Sequence, residues 1–139
     1  MENILILGGT GAMGKFLVKR LSASYHVCVT SRKVHKSTDN VTYYQGDAHN
    51  DNFLKSILKN EKWLAIIDFM HYGTEEFKKR YQLLLANTAQ YVFLSSSRVY
   101  AASETPLTEE SPRLVDKLPI KILSGQMTTL WLRQDRKTC

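Results

Sequence analysis

The stretch Ile4-Leu-Ile-Leu-Gly-Gly-Thr-Gly-Ala-Met-Gly14 decides how the chain reads. Four apolar residues run straight into a glycine cluster, and a helix-like pattern follows at once. Gly8, Gly11 and Gly14 give the spacing G-x-x-G-x-x-G, with Gly9 as an extra. A strand that ends in such a turn brings its backbone close to a pyrophosphate, because a Cβ at those positions would block the approach. The helix that follows aims its free N–H groups and positive dipole end at the phosphates. Glycine triplets alone are common, but strand, triplet and helix in register are far more specific. The stretch predicts a dinucleotide site at Gly8, Thr10, Gly11, Ala12, Met13 and Gly14.

Working outward, 139 residues suit one domain with a single core. Hydrophobic content of 43% and charged content of 23% are ordinary for a globular protein. No apolar run approaches the ~20 residues of a membrane span. The start, Met1-Glu-Asn-Ile, has no basic n-region, so no signal peptide is expected. Cys28 and Cys139 form no disulfide framework, and the chain reads as cytoplasmic. The net charge of +6 invites a nucleic-acid partner, but its location argues against one. Residues 1–112 carry 13 Lys and Arg against 11 Asp and Glu, whereas residues 113–139 carry 6 against 2. Most of the excess sits in the tail.

Along the chain, residues 3–7 are apolar throughout, as a central parallel strand covered on both faces should be. Met13, Leu17 and Leu21 recur at i, i+4 and i+8, which predicts a helix over 11–23 with that stripe on the sheet. His26 to Thr30 reads as a second strand, followed by Thr30-Ser31-Arg32-Lys33. Dinucleotide sites usually place an acid there for the ribose 2′-hydroxyl, about 20 residues after the glycines. Here a hydroxyl and two cations stand instead, which favours a 2′-phosphate on Ser31 and Arg32 and so NADP over NAD. Stacking of Arg32 on adenine, or its simple solvation, is the alternative.

Val41 to Tyr44 reads as a third strand running into Gln45-Gly46-Asp47-Ala48. Asp47 can accept from an adenine amino group or merely cap the next turn. Asn50 and Asp51 open a helix whose buried face is Phe53, Leu54, Ile57 and Leu58. Trp63 to Phe69 is a fourth strand, and its end, Phe69-Met70-His71, should lie beside the cofactor. No carboxylate stands visibly paired with His71, so it reads as a loop histidine near the ribose and not as a base. Thr74 is a good N-cap for a helix through Phe77, Tyr81, Leu84, Leu85 and Thr88. Tyr91 to Leu94 is a fifth strand, ending in Ser95-Ser96-Ser97-Arg98-Val99-Tyr100. Five alternations of strand and helix signals predict a Rossmann-like, doubly wound parallel sheet of about five strands in three α/β/α layers. Ligands in such sheets bind at the carboxyl ends of the strands.

The order GGTGAMG, GDAHN, FLSSSRVYA and PLTEESP resembles the NAD-dependent epimerase/dehydratase family of extended short-chain dehydrogenase/reductases. The resemblance covers residues 1 to about 112. It implies pyrophosphate binding at Gly8, Gly11 and Gly14, an adenine contact at Asp47, and a substrate-oxygen contact at Ser96 as a catalytic residue. It also implies a small-molecule substrate, such as a sugar nucleotide, and a homodimer for the full-length parent. The family's chemistry further needs a Tyr-x-x-x-Lys pair, in which tyrosine is the acid/base and lysine lowers its pKa and holds the nicotinamide ribose. Tyr100 is the last tyrosine here, and position 104 is Glu104. The pair is absent from the sequence.

The tail offers a reason. From Gln126 to Cys139, joining the third base of each codon to the first two of the next permits Thr-Asp-Asp-Tyr-Ala-Leu-Ala-Lys-Ala-Arg-Gln-Glu-Asp-Leu. That reading contains Tyr-x-x-x-Lys-x-x-x-Glu, the family's pattern. The sequence therefore predicts a dinucleotide-binding domain over 1–112 and an out-of-frame or poorly ordered tail over 113–139. The frameshift falls between about Val115 and Gln126, and the chain so truncated should be inactive and incomplete at its C-terminal end. A non-catalytic sensor, regulatory or RNA-associated protein on the same fold is the rival reading. Sequencing the gene from codon 110 onward is expected to find the shifted frame open well past codon 139. Closure of that frame, with a stop directly after Cys139, would instead make the short chain the product.

Overall fold

A computed structural model describes residues 1–95 and 99–113 of the chain. The chain divides after Leu94 into two compact units. The first holds eight elements: β1 (Asn3–Leu7), α1 (Ala12–Leu21), β2 (His26–Ser31), β3 (Val41–Gln45), α2 (Asp51–Asn60), β4 (Trp63–Asp68), α3 (Thr74–Ala86) and β5 (Thr88–Phe93). The strands form one parallel sheet in the order β3-β2-β1-β4-β5. The chain builds outward from β1 to one edge, then returns to build on its other side. The turning point lies between β1 and β4, where Leu7 pairs with Asp68 and the Phe69 N–H donates to the Leu7 carbonyl at 3.0 Å. An α/β sheet places its ligand crevice beyond the strand ends at such a point.

The continuous apolar runs are explained by burial on both faces. Leu5 and Leu7 point into one core with Leu54, Ile57, Leu58 and Leu84 of α2 and α3. Ile4 and Ile6 point into a second core with Val18 of α1, flanked by Leu17 and Leu21. Phe53 packs at the margin of the first core. Cys28 is buried, and burial pushes its thiol up to about 11, out of the range of a reactive thiolate.

Three local expectations are corrected. Met13 is 62% exposed, so the sheet-facing stripe of α1 runs through Gly14 and Val18 with Leu17 and Leu21 instead. Gly14 sets that phase, because only a residue without Cβ fits against the Gly9 carbonyl. Thr74 is the first helical residue and not the cap: Gly73 caps α3, and its carbonyl accepts from the Phe77 N–H at 2.9 Å. Thr88 belongs to β5 and not to the helix. Asn87 ends α3 by donating its amide to the Leu83 carbonyl at 2.8 Å, and Thr88 then pairs with Trp63 across the sheet. In the second unit, Tyr100 bridges Arg113 in antiparallel fashion, and the Ala101 N–H donates to the Pro112 carbonyl at 2.9 Å. Ser96 and residues 114–139, on which the catalytic serine and most of the tail expectation fall, lie outside the described residues.

Among the described residues Asp68 is the one buried acid, and it has no solvent exposure. Its Oδ1 accepts from the Met70 N–H at 2.9 Å, and its Oδ2 from the hydroxyls of Tyr91 at 2.8 Å and Tyr72 at 3.0 Å. Burial outweighs these donors and pushes the carboxyl up to about 6. The folded value exceeds the unfolded one, so the protonated form favours folding. That contribution is complete below about pH 4 and is lost as pH rises through 6, to the extent of roughly 3 kcal/mol. Replacing Asp68→Asn should remove it. Urea denaturation at pH 4 and pH 7.5 is expected to show the variant gaining on the native protein by roughly 2–3 kcal/mol at the higher pH. A difference that does not change with pH would refute the assignment.

Candidate functional site

The carboxyl ends of β1, β2, β3 and β4 enclose a cleft of about 280 Å3. It is lined by Gly8 and Thr10 from the glycine turn, by Thr30, Ser31 and Arg32 at the end of β2, by 46–49 after β3, and by Phe69, Met70 and His71 after β4. Nine residues expected at a dinucleotide site from sequence thus meet in one place: Gly8, Thr10, Ser31, Arg32, Asp47, Ala48, Phe69, Met70 and His71.

The glycines divide the work. Gly8 has φ of +71°, a left-handed conformation that side chains disfavour, and its N–H donates to the Thr30 hydroxyl at 3.1 Å. Gly11 caps α1 without any side-chain hydrogen bond, and a Cβ there would meet nothing within 4 Å. Open space and free N–H groups coincide at that point, which suits an anion. Gly14 serves packing, because its missing Cβ lets α1 close on Gly9. Gly9 fits for the same reason, since a Cβ would lie 2.8 Å from Ile6 and 2.9 Å from Val29. Gly11, Ala12 and Met13 are exposed at the start of α1 and do not line the cleft, nor does the buried Gly14. Ser95 belongs to the second unit.

Ser31 shapes the turn that carries the cations. Its hydroxyl accepts from the Lys33 N–H at 3.1 Å, and its carbonyl accepts from the Gly46 N–H at 2.9 Å. A second recess of about 500 Å3 shares Thr10, Ser31 and Arg32 with the cleft and adds Lys15, Lys33 and His35. Among the described residues, no ion pair joins Lys15, Arg32 or Lys33 to an acid. His35 stacks on Tyr43 with centroids 4.8 Å apart, and its buried Nε2 has no hydrogen-bond partner. Unpaired cations crowded round one recess repel one another until an anion enters it. Lys15 and His35 escaped the sequence reading: only the fold brings the first turn of α1 and the β2–β3 loop to one recess.

Asp47 does cap its turn. Its Oδ1 accepts from the His49 N–H at 2.9 Å, while Oδ2 has no partner among the described residues. Both alternatives read from the sequence are therefore compatible in one carboxylate. The loop 46–51 is braced from α3 by Arg80, which is only 3% exposed. The guanidinium donates to the carbonyls of Ala48 and His49 and to Asp51 Oδ1 at 2.9 Å, and its Nε pairs with Glu76 at 3.3 Å. It also lies over the Tyr72 ring, 5.4 Å from the centroid. The bond to Arg80 holds the Asp51 carboxyl below its usual range. Nothing in the helical spacing marked Arg80; a lone cation on an otherwise apolar face, four residues after Glu76, was the available signal.

A model of the NAD dependent epimerase/dehydratase family matches residues 4–117. No curated protein matches the sequence. Among solved structures, the chain is similar to dTDP-glucose 4,6-dehydratase from Bacillus anthracis in complex with NAD. The two are 20% identical with a TM-score of 0.62, over 81% of this chain and 44% of that one. It is also similar to a mutated uronate dehydrogenase, 16% identical with a TM-score of 0.64, over 81% and 46%. A UDP-glucose 4-epimerase is 21% identical with a TM-score of 0.58, over 81% and 41%. These likenesses bear out the Rossmann-like fold. The chain spans less than half the length of each of these structures.

Arg80 gives the site its testable mechanical element. Arg80→Met keeps most of the stem but takes the guanidinium donor from two loop carbonyls and Asp51, and leaves Glu76 with the His49 ring alone. The expected cost is about 2–3 kcal/mol of stability, read as a lower urea midpoint with an unchanged slope. A loss below about 0.5 kcal/mol, the range of an ordinary surface change, would show that the brace is not needed.

Proposed function

Because the chain belongs to the NAD dependent epimerase/dehydratase family, we propose that it is the cofactor-binding portion of an oxidoreductase acting on a sugar nucleotide or similar small molecule. The observation that carries this reading is the single cleft that gathers the glycine turn, Arg32 and Asp47 at the switch point of the sheet. The residues present fit an adenine dinucleotide. The turn from Gly8 to Gly14 would hold the pyrophosphate on backbone N–H groups, with Thr10, Ala12 and Met13 flanking it. Asp47 Oδ2 would accept from the adenine amino group, beside Ala48. Phe69, Met70 and His71 would border the nicotinamide half.

NADP is favoured over NAD. Ser31 and Arg32 at the end of β2 offer a hydroxyl and a guanidinium where an NAD site would offer an acid, and Lys15 and Lys33 add charge to the same recess. When bound, the dinucleotide supplies hydride transfer at its nicotinamide ring. The Ser96 hydroxyl would donate to the substrate oxygen that gains or loses that hydride. The sugar-nucleotide class rests on likeness to a dTDP-glucose dehydratase and a UDP-glucose epimerase. A cytoplasmic setting and a dimer in the full-length parent are part of the same proposal. The second reading, a non-catalytic dinucleotide sensor, is favoured by one feature: no Tyr-x-x-x-Lys occurs in the sequence. Under either reading this chain is expected to bind cofactor without turning over substrate.

Fluorescence titration of the purified chain with NADPH and NADH tests the proposal. NADPH should bind more tightly, and Arg32→Ala should weaken it about tenfold or more while hardly affecting NADH. Equal loss for both would refute the 2′-phosphate assignment. Absence of binding by either would refute the dinucleotide reading itself.

A further inference from the structure

We infer that the face formed by α1 and the β2–β3 loop docks on an anionic membrane surface. Charge is segregated along the chain more sharply than its totals suggest. Residues 3–38 carry six Lys and Arg and no Asp or Glu. Lys15, Lys19 and Arg20 stand on α1, and Arg32, Lys33 and Lys36 on the loop after β2. All six are exposed, and among the described residues none is ion-paired to an acid. The fold joins the two groups, because Lys15 lines one recess with Arg32, Lys33 and His35.

Large apolar side chains stand bare among these cations. Val34 is 76% exposed, Phe16 73% and Met13 62%; among the described residues only Met1 is a comparably bare large apolar residue. Gly14 and Val18 are the buried residues of α1, so Phe16, two positions from each, falls on its outer side. Lys19 and Arg20 are its neighbours one turn on. Val34 stands between Lys33 and His35, both of which line the recess. Cations without neutralising acids attract a polyanion, and each is worth roughly fivefold in affinity near an anionic bilayer. The apolar residues decide which polyanion. A single-stranded nucleic acid stacks a base on Phe16 but offers nothing to Met13 or Val34. A bilayer takes all three at the boundary of headgroups and acyl chains, while the cations meet lipid phosphates. This is a surface contact and needs no spanning helix. It does not rest on the dinucleotide reading.

Sedimentation of the purified chain with lipid vesicles tests the proposal. The native chain should pellet with vesicles of equal parts phosphatidylserine and phosphatidylcholine, and stay in solution with phosphatidylcholine alone. Lys19→Gln with Arg20→Gln should weaken binding more than about tenfold. Phe16→Ser with Val34→Ser should weaken it about tenfold while leaving all six cations in place. None of these four residues lines the cleft or the recess. Failure of the native chain to pellet with the anionic vesicles overturns the proposal without any variant, as does equal pelleting with phosphatidylcholine alone. If Phe16→Ser with Val34→Ser pellets as well as the native chain, the attraction is to charge alone and the membrane assignment falls. Tighter binding to a single-stranded oligonucleotide, equally indifferent to that pair, would assign the face to nucleic acid and overturn the proposal.

Discussion

The approach of α1 to the turn before it is the contact on which the rest of the structure depends. Gly14 sits against the carbonyl of Gly9, and Gly9 itself is wedged between Ile6 and Val29. No side chain fits in either place. That double constraint fixes where α1 starts, hence where its uncapped N–H groups face, and it turns Val18 onto the sheet. It also brings Lys15 round to the recess beside the end of β2. Packing and anion attraction are two results of one backbone contact.

The opposite wall is built on polar bonds. Asp68 ends β4 under the hydroxyls of Tyr72 and Tyr91, and burial and the nearby carboxylate raise the pKa of both phenols. Arg80 takes the next layer, joining α3 to the carbonyls of Ala48 and His49. Buried polar groups of this kind stabilise little beyond what their desolvation costs, yet they are costly to leave unpaired. Their effect is to set geometry. The loop that carries Asp47 and His49 is held in place from α3, through Arg80 to the Ala48 carbonyl and Glu76 to the His49 ring.

Charge follows the same division. The acids of the first unit are engaged where cations can reach them, as Asp51 and Glu76 are by Arg80. The cations of the second recess have no such partners among the described residues. The recess beside the end of β2 is thus the more cationic of the two, with Lys15, Arg32 and Lys33 on its lining.

By itself the sequence determined the sheet, its parallel sense and the location of the cleft. Those follow from local signals: continuous apolar runs at Ile4–Leu7 and over 63–67, and glycines at fixed spacing. It also named most of the cleft lining, because residues at strand ends converge whatever the details of the helices. On α1 only Met13 was misplaced: Leu17 and Leu21 do pack on the core, and the Gly9–Gly14 contact puts Gly14 and Val18 inside where the periodicity had put Met13. The tertiary structure alone decided which polar residues act together. Arg80 with Ala48, Glu76 with His49, and Lys15 with Arg32 are distant in sequence or out of phase on their elements. No periodicity encodes such pairs, because they arise only when separate helices pack against one sheet.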